Sequence, residues 1–426
     1  MRTLIKDLKP GKTLTVEGFI DKIRDQKSIQ FIILRDRTGR AQITVFKPDL
    51  PEISEIFTTL TTDSVVSITG KIISAPQVKL GGLEIVPTSV RVLSRAKLSP
   101  IDENTGPDLA MDYRWIDLRD EKKREYFKIQ TIAEHAMREF LIKNNFIEAH
   151  TPKLSNSGTE GGSEVFEVKY YDRKAYLTQS PQFYKQMAMA AGWERFFEVS
   201  SNYRAEKSYT SRHATEFFTL DLEMAHITSH HDVMDVQEKL LKYVLGVLHK
   251  KFGFPPAQKA RFPRITLLES YELLKSERDY EVPRASKGDL DPEGERLLCE
   301  ISREKYASDF IFITDFPASC RAFYSMRHDE TPNTPQLCKS FDLLYRGLEI
   351  SSGAQREHNF DRLIENIRAK GIDPDVLKSY TQFFEYGCPP HGGFAIGLAR
   401  FFARLLDLHS VKDAVYLFRG PDRLSP

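Results

Sequence analysis

The sequence has little cysteine, little tryptophan, no long apolar run and almost no net charge. Its four cysteines, Cys299, Cys320, Cys338 and Cys388, are widely spaced and form no Cys-x-x-Cys pair. That spacing argues against a disulfide framework or a zinc site, and buried free thiols in a reducing compartment are the expectation. No apolar stretch approaches the ~20 residues that a membrane-spanning helix needs. The first residues lack the apolar core of a signal peptide. The chain therefore reads as cytoplasmic, with no membrane partner. Lys+Arg total 61 against Asp+Glu 60, so contact with nucleic acid would have to come from local patches, not from overall basicity. His226, His230, His231 and His249 lie on or beside a helical stretch, but nothing assembles them into a metal set.

What is present is enough for more than one core: 426 residues, 41% hydrophobic and 28% charged, which implies two or more domains. In residues 1–97 five β-rich runs, 14–20, 29–34, 41–46, 65–73 and 83–93, surround a short helical stretch at 51–60, with a turn at Asp36–Gly39. Five strands with a helix after the third match an OB-fold barrel, a fold that commonly stacks single-stranded bases on aromatics. Phe31 and Gln42 fall on the candidate binding strands and Glu84 on the last. Phe31 suits a core position equally well. Residues 98–120, with Ser99-Pro100 and Gly106-Pro107, read as an interdomain hinge.

Residues 121–426 mix the two periodicities, so the whole chain is α+β. Tyr126, Ile129, Ala133, Ala136, Met137 and Phe140 make the stripe of a helix over 122–145, followed by a strand at 146–151 that Pro152 stops. Residues 196–223 alternate with period two and read as a hairpin. Val199, Ser201, Tyr203 and Ala205 share one face of its first strand, and Glu198, Ser200, Asn202, Arg204 and Glu206 the other. On the second strand Phe218, Leu220 and Leu222 oppose Phe217, Thr219, Asp221 and Glu223. The loop between carries Lys207, Arg212 and His213. A solvated polar face is the ordinary reading of such a hairpin. Cations, carboxylates and an aromatic ring together also suit a base that carries phosphates. A helix follows from Ser229 and Asp232, striped by Val233, Val236, Leu240, Leu241, Val244, Val247 and Leu248. In 340–358, Asp342 and Glu349 stand among apolar neighbours, so cations should lie close, in a structural ion pair or in a binding site. Two more helices are expected, one from Phe360 to Gly371 and one from Asp373-Pro374 to Gly387. Last comes a strand in which Gly393, Ala395 and Gly397 leave one face flat while Phe394, Ile396 and Leu398 fill the other.

These stretches carry a resemblance. Arg204-Ala205-Glu206, Arg212-His213, Glu216-Phe217 and Asp221–Glu223 resemble motif 2 of the class II aminoacyl-tRNA synthetases. The helix and strand ending at Pro152 resemble motif 1, and Gly393–Arg400 resembles motif 3. The N-terminal layout is similar to the anticodon-binding domain of aspartyl-, asparaginyl- and lysyl-tRNA synthetases. Gln179–Gln186 matches the aspartyl form, and Asp289–Leu298 resembles its archaeal and eukaryotic subgroup. The resemblance implies an N-terminal OB-fold followed by a catalytic domain with an antiparallel sheet flanked by helices. It implies ATP held by Arg204, Glu206, Arg212, His213, Phe217, Glu349 and Arg400, with Arg204, Glu206 and Arg400 catalytic. Mg2+ would sit on Asp342, Glu349 and Ser352. L-aspartate would meet Glu160, on a loop that closes over it, and Gln182, Lys185, Ser352 and Arg356. Phe31, Gln42 and Glu84 would read the anticodon.

The implied reaction is activation of aspartate with ATP and transfer to the 3' end of tRNA-Asp, with tRNA-Asn as a second candidate, by a homodimer. Two alternatives stand beside it: an asparaginyl enzyme, and a catalytically altered paralogue acting in RNA binding or regulation. The second is prompted by three departures from the family pattern, Ala395 for glycine, Ala399 for an acid, and Arg419-Gly420 where Pro-Arg follows the phenylalanine.

Overall fold

The structure is a computed structural model that describes residues 2–158, 164–329 and 336–426. The chain divides into two compact units, Met1–Asp117 and Leu118–Pro426. In the first, β1 (Arg2–Thr3), β2 (Thr13–Asp25), β3 (Ile29–Arg35), β4 (Arg40–Phe46), β5 (Val65–Ser74) and β6 (Leu83–Ser94) form one sheet. β5 pairs with both β6 and β2, which closes the sheet into a barrel. Inward residues alternate along each strand: Ile32 and Leu34, Ile43 and Val45, Val66 and Ile68 are buried. α1 (Pro51–Thr58) plugs the barrel with Phe57, which is fully buried. The stretch expected as a hinge is not featureless. It contains α2 (Pro107–Asp112) and α3 (Arg114–Asp117), and the division between the units falls just after α3.

The second unit opens with α4 (Glu121–Lys143), capped by Asp120, whose carboxylate accepts the Lys123 amide. β7 follows but spans only Ile147–Glu148, because Thr151 turns inward to hydrogen-bond Glu198. β8 (Leu154–Ser155), β9 (Glu167–Tyr170) and β10 (Arg173–Leu177) form a small sheet, and α5 (Gln182–Ala190) comes next. The hairpin is β11 (Arg195–Tyr203) with β12 (Glu216–Ala225). α6 (His230–Phe252) starts on a reciprocal Ser229–Asp232 cap. The rest of the unit is β13 (Arg264–Thr266), α7 (Leu267–Arg278), α8 (Pro292–Tyr306), β14 (Phe310–Thr314), β15 (Ser340–Tyr345), β16 (Leu348–Gln355), α9 (Phe360–Ala369), α10 (Lys378–Thr381), β17 (His391–Gly397) and α11 (Leu398–Leu405).

Eight strands join in the order β13-β14-β15-β16-β17-β12-β11-β7. The pairing is antiparallel throughout except at the two ends, where β13 lies parallel to β14 and β7 to β11. Register decides what each face carries, because paired residues share a face. One row runs Phe197, Leu222, Phe394, Gly353, Phe341 and packs with α4, α6 and α11 in the main apolar core. The neighbouring row, on the opposite face, runs Glu198, Asp221, Ala395, Ser352, Asp342. Residues far apart in sequence are thereby set side by side on a polar sheet face.

Three local expectations need correcting. Leu398 does not extend the last strand; it starts α11 and is buried there. The helix expected from Asp373 to Gly387 is broken into α10 between two tight 3-10 turns, which carries Tyr380 and Phe384 onto Phe183 and Phe323 in one aromatic cluster. Of the thiols, Cys299 and Cys338 are buried, but Cys388 is half-buried and Cys320 is exposed.

Candidate active site

The hairpin's polar face is not solvated. Glu198, Ser200 and Asn202 are buried, and each is satisfied. Lys153 Nζ reaches Glu198 Oε1 and Ser200 Oγ, both at 2.8 Å. Asn202 Nδ2 donates to Thr219 Oγ1 at 2.6 Å, and Thr219 donates in turn to Asp221. Lys153 carries the cation that the sequence reading missed.

Where this face meets the hairpin loop and α11, a cavity opens. It is lined by Arg204, Glu206, Arg212, His213, Phe217, Glu349, Ser352 and Arg400, together with Ala395, Gly397 and Ala399. Arg204 stands over the Phe217 ring at 5.4 Å and has no carboxylate partner among the described residues. Arg212 forks onto Glu295 at 2.5 and 2.8 Å, and Glu295 also accepts the Glu349 amide at 2.7 Å. Arg400 reaches Glu349 Oε2 at 3.2 Å and the Arg212 carbonyl at 3.2 Å. Three arginines therefore face one space, and Glu295 is shared between Arg212 and the Glu349 amide. Burial opposes ionisation of Glu349, yet Arg400, Arg321, Arg212 and Arg204 together hold it below the usual carboxylate range. Burial pushes Glu295 up to about 7, with Arg212 pulling back. His213 is held below its ordinary value by burial, then by Arg400 and Arg212.

Asp342 pairs through Oδ2 with Arg321 at 2.5 Å, and Arg321 also donates to Ser352 Oγ at 3.2 Å. Asp342 Oδ1 is buried without a partner among the described residues. Burial holds this carboxyl up at about 6, against the pull of Arg321 and with Glu349 adding to the push. An orphaned carboxylate oxygen, a second carboxylate and a hydroxyl are hard donors that fit a magnesium ion sharing phosphate oxygens. Arg321 is the cation required by the burial of Asp342, and no pattern in the sequence singled it out.

Gln182, Lys185 and Arg356 do not line the cavity. They are buried behind it. Lys185 Nζ pairs with Asp221 Oδ1 at 3.0 Å and Glu223 Oε2 at 3.5 Å. Arg356 Nε donates to Glu223 Oε1 at 2.9 Å, and its NH2 donates to the Gly393 carbonyl at 3.0 Å. Gly393 is required here, since a Cβ would come within 2.1 Å of the Leu222 carbonyl and 2.2 Å of the Glu223 carboxylate. Lys185 and Arg356, expected to meet L-aspartate, are already paired by Asp221 and Glu223. Glu160 lies outside the described residues.

On the first unit, Phe31 sits beside Thr44, and Gln42 beside Glu84. Gln42 Nε2 donates to Glu84 Oε1 at 3.1 Å and to Thr44 Oγ1 at 3.3 Å. All four share the barrel's outer face. Phe31 is half-buried there, so it is not a core residue.

Two families match the chain: tRNA synthetases class II (D, K and N) over residues 106–419 and the OB-fold nucleic acid binding domain over residues 14–93. The chain is a class II tRNA synthetase of the D, K and N group. Among curated relatives of this synthetase, an aspartate--tRNA(Asp) ligase from Pyrococcus abyssi is 40% identical, with 98% of this chain and 97% of the relative covered. An aspartate--tRNA(Asp/Asn) ligase from Thermus thermophilus is 38% identical, with 100% of both covered. Among solved structures, the asparaginyl-tRNA synthetase from Pyrococcus horikoshii complexed with asparaginyl-adenylate matches the synthetase with a TM-score of 0.89 at 31% identity, covering 100% of both chains. The departures now have places. Ala395 and Ala399 line the cavity. Arg419 contributes its backbone carbonyl, which accepts the Thr215 amide at 3.0 Å and tethers the hairpin loop. That bond does not depend on the side chain at 419.

Proposed function

We propose that this synthetase is an aspartate–tRNA ligase. It joins L-aspartate to ATP, giving aspartyl-adenylate and pyrophosphate, and then transfers the aspartyl group to the 3' end of tRNA-Asp, with tRNA-Asn as a second acceptor. The observation that carries this reading is the adjacency of the two sites: the Asp221–Ala395–Ser352 row runs from the Lys185–Arg356 cluster to the arginine-lined cavity. The relatives named as aspartate ligases support it.

The substrate α-carboxylate attacks the α-phosphorus and pyrophosphate leaves. The tRNA terminal ribose hydroxyl then attacks the adenylate carbonyl and releases AMP. Neither step needs a protein nucleophile, so the site acts by alignment and charge cancellation. Arg204, over Phe217 and without a carboxylate partner among the described residues, takes the α-phosphate. Phe217 and Arg400 bracket the base, while Arg212 and His213 reach the distal phosphates, with Glu206 at the cavity wall. Asp342, Glu349 and Ser352 would hold Mg2+, which when bound supplies positive charge to the phosphate oxygens. Gln182, Lys185 and Arg356 hold the amino acid. The Phe31, Gln42 and Glu84 patch takes unstacked anticodon bases. Two chains associate through the β7 edge and the end of α4 before it, where Ile147 and Ile142 are exposed. The setting is the cytoplasm; among the described residues no helix is long and apolar enough to cross a membrane.

A second reading keeps asparagine as the substrate. Because Asp221 and Glu223 pair with both cations, a neutral amide would strand neither of them, and charge alone discriminates less than two unpaired cations would. Charging purified tRNA-Asp and tRNA-Asn with each amino acid decides between the readings. Aspartyl-tRNA is the expected product, and asparaginyl-tRNA would overturn the proposal.

A further inference from the structure

Behind the amino-acid cluster, Gln182 is joined to three side chains, Gln186, His391 and Tyr380, that have no role in the scheme above. His391 Nδ1 is 2.8 Å from the Pro389 carbonyl oxygen. Gln186 Nε2 is 2.9 Å from His391 Nε2. Gln182 Nε2 donates to Gln186 Oε1 at 2.9 Å, and the Tyr380 hydroxyl donates to the same oxygen at 3.0 Å. All four side chains are buried, and Tyr380 is clamped against the Phe183 ring at 4.1 Å.

We propose that His391, acting through Gln186, fixes the orientation of the Gln182 amide, so that Gln182 turns its NH2 to Gln186 and presents its carbonyl oxygen to the amino acid as a hydrogen-bond acceptor. A carbonyl oxygen only accepts, so the Pro389 contact requires the proton on Nδ1. The Cys388 thiol, 3.6 Å from Nδ1, cannot take that place without leaving two lone pairs facing each other. Burial holds the ring neutral, down at about 4, so Nε2 is bare and accepts from Gln186. Gln186 Oε1 must then face Tyr380 and Gln182, and Gln182 must turn its own NH2 towards Gln186. Flipping either amide would set oxygen against oxygen, or oxygen against the bare Nε2. Gln182 Oε1 is the end of the chain. An acceptor there suits an ammonium group and repels a carboxylate, which orients the amino acid. This inference rests on the reading of Gln182 as an amino-acid contact. His391, Gln186 and Tyr380 are positioning residues.

The first test needs no substrate. The 15N spectrum of the histidine-labelled full chain should show His391 as the neutral Nδ1–H tautomer. An Nε2–H tautomer overturns the relay. The second test is pyrophosphate exchange. His391→Leu should raise the KM for the amino acid about tenfold, the loss of roughly one neutral hydrogen bond, and leave the KM for ATP unchanged. His391→Asn, which keeps a donor for Pro389 and an acceptor for Gln186, should recover most of that loss. Equal effects on both KM values, or no difference between Asn and Leu, would refute the relay. If the wild type activates neither aspartate nor asparagine, the functional proposal fails, and the tautomer still decides the relay.

Discussion

Arg204 and Lys185 serve the same polar sheet face from opposite electrostatic situations. Arg204 looks into an open cavity with a ring beside it and no carboxylate partner among the described residues. Lys185 is buried and pairs with two carboxylates. The difference separates binding from framework. A half-open cation keeps most of its interaction energy for an incoming anion. A buried pair is self-compensated, and what it offers a ligand is a fixed geometry, not surplus charge. Substitutions in the two regions should therefore fail differently.

The largest effect is expected at Lys185. Lys185→Leu takes the cation from buried Asp221 and leaves Glu223 to Arg356 alone, so it should lower unfolding stability by about 3–5 kcal/mol and abolish aspartate-dependent pyrophosphate exchange. Chemical denaturation and exchange assays read the two effects. Exchange at the wild-type rate would refute the role assigned to Lys185. Arg204→Ala is the counterpart: stability within about 0.5 kcal/mol of wild type, with exchange down about 100-fold or more. If its stability fell as far as that of Lys185→Leu, the contrast between the regions would be lost.

Gly393→Ala tests the framework from the backbone side. The new methyl meets the Leu222 carbonyl and the Glu223 carboxylate, and a loss of about 1–3 kcal/mol is expected, read by thermal unfolding. Asp342 sharpens the comparison through pH. Its carboxyl keeps its proton up to about 6 in the folded chain, against about 4 when unfolded. Its contribution to stability is thus full below about 4 and lost as pH rises through about 6. Asp342→Asn should therefore raise stability relative to wild type by roughly 1–3 kcal/mol at pH 8 and by little at pH 4. Equal effects at both pH values would contradict the assigned burial. The smallest effect is expected at Ala395→Gly, which removes one methyl from the cavity wall and should change the KM for ATP by less than about threefold.

Much of this was legible in the sequence. Alternation along 196–223 placed both strands and the faces of their paired residues, but it ran the first strand on through Arg204, Ala205 and Glu206, which lie beyond its end at Tyr203. The flat Gly393–Gly397 strand and the barrel strands were equally plain, because period two is a local property. Within the site, the cavity residues were named from the resemblance, and the hairpin loop, β16 and α11 bring Arg204, Glu349 and Arg400 together. Pairing was not legible. Asp342 had to have a cation, but choosing Arg321 over any other arginine requires the fold. Glu198 and Ser200 alternate as a solvated face would, and only Lys153, folded back from another segment, shows why they are buried. The break in the helix at 374–386 was hidden for the same reason, since the aromatic cluster that outweighs local helix propensity draws on Phe183 and Phe323.

The most direct test of the account is ATP–pyrophosphate exchange by the full chain, with aspartate and asparagine supplied separately. The account predicts exchange that depends on aspartate, exceeds that with asparagine and disappears in Arg204→Ala. Exchange driven by asparagine, or exchange that survives in Arg204→Ala, would contradict it.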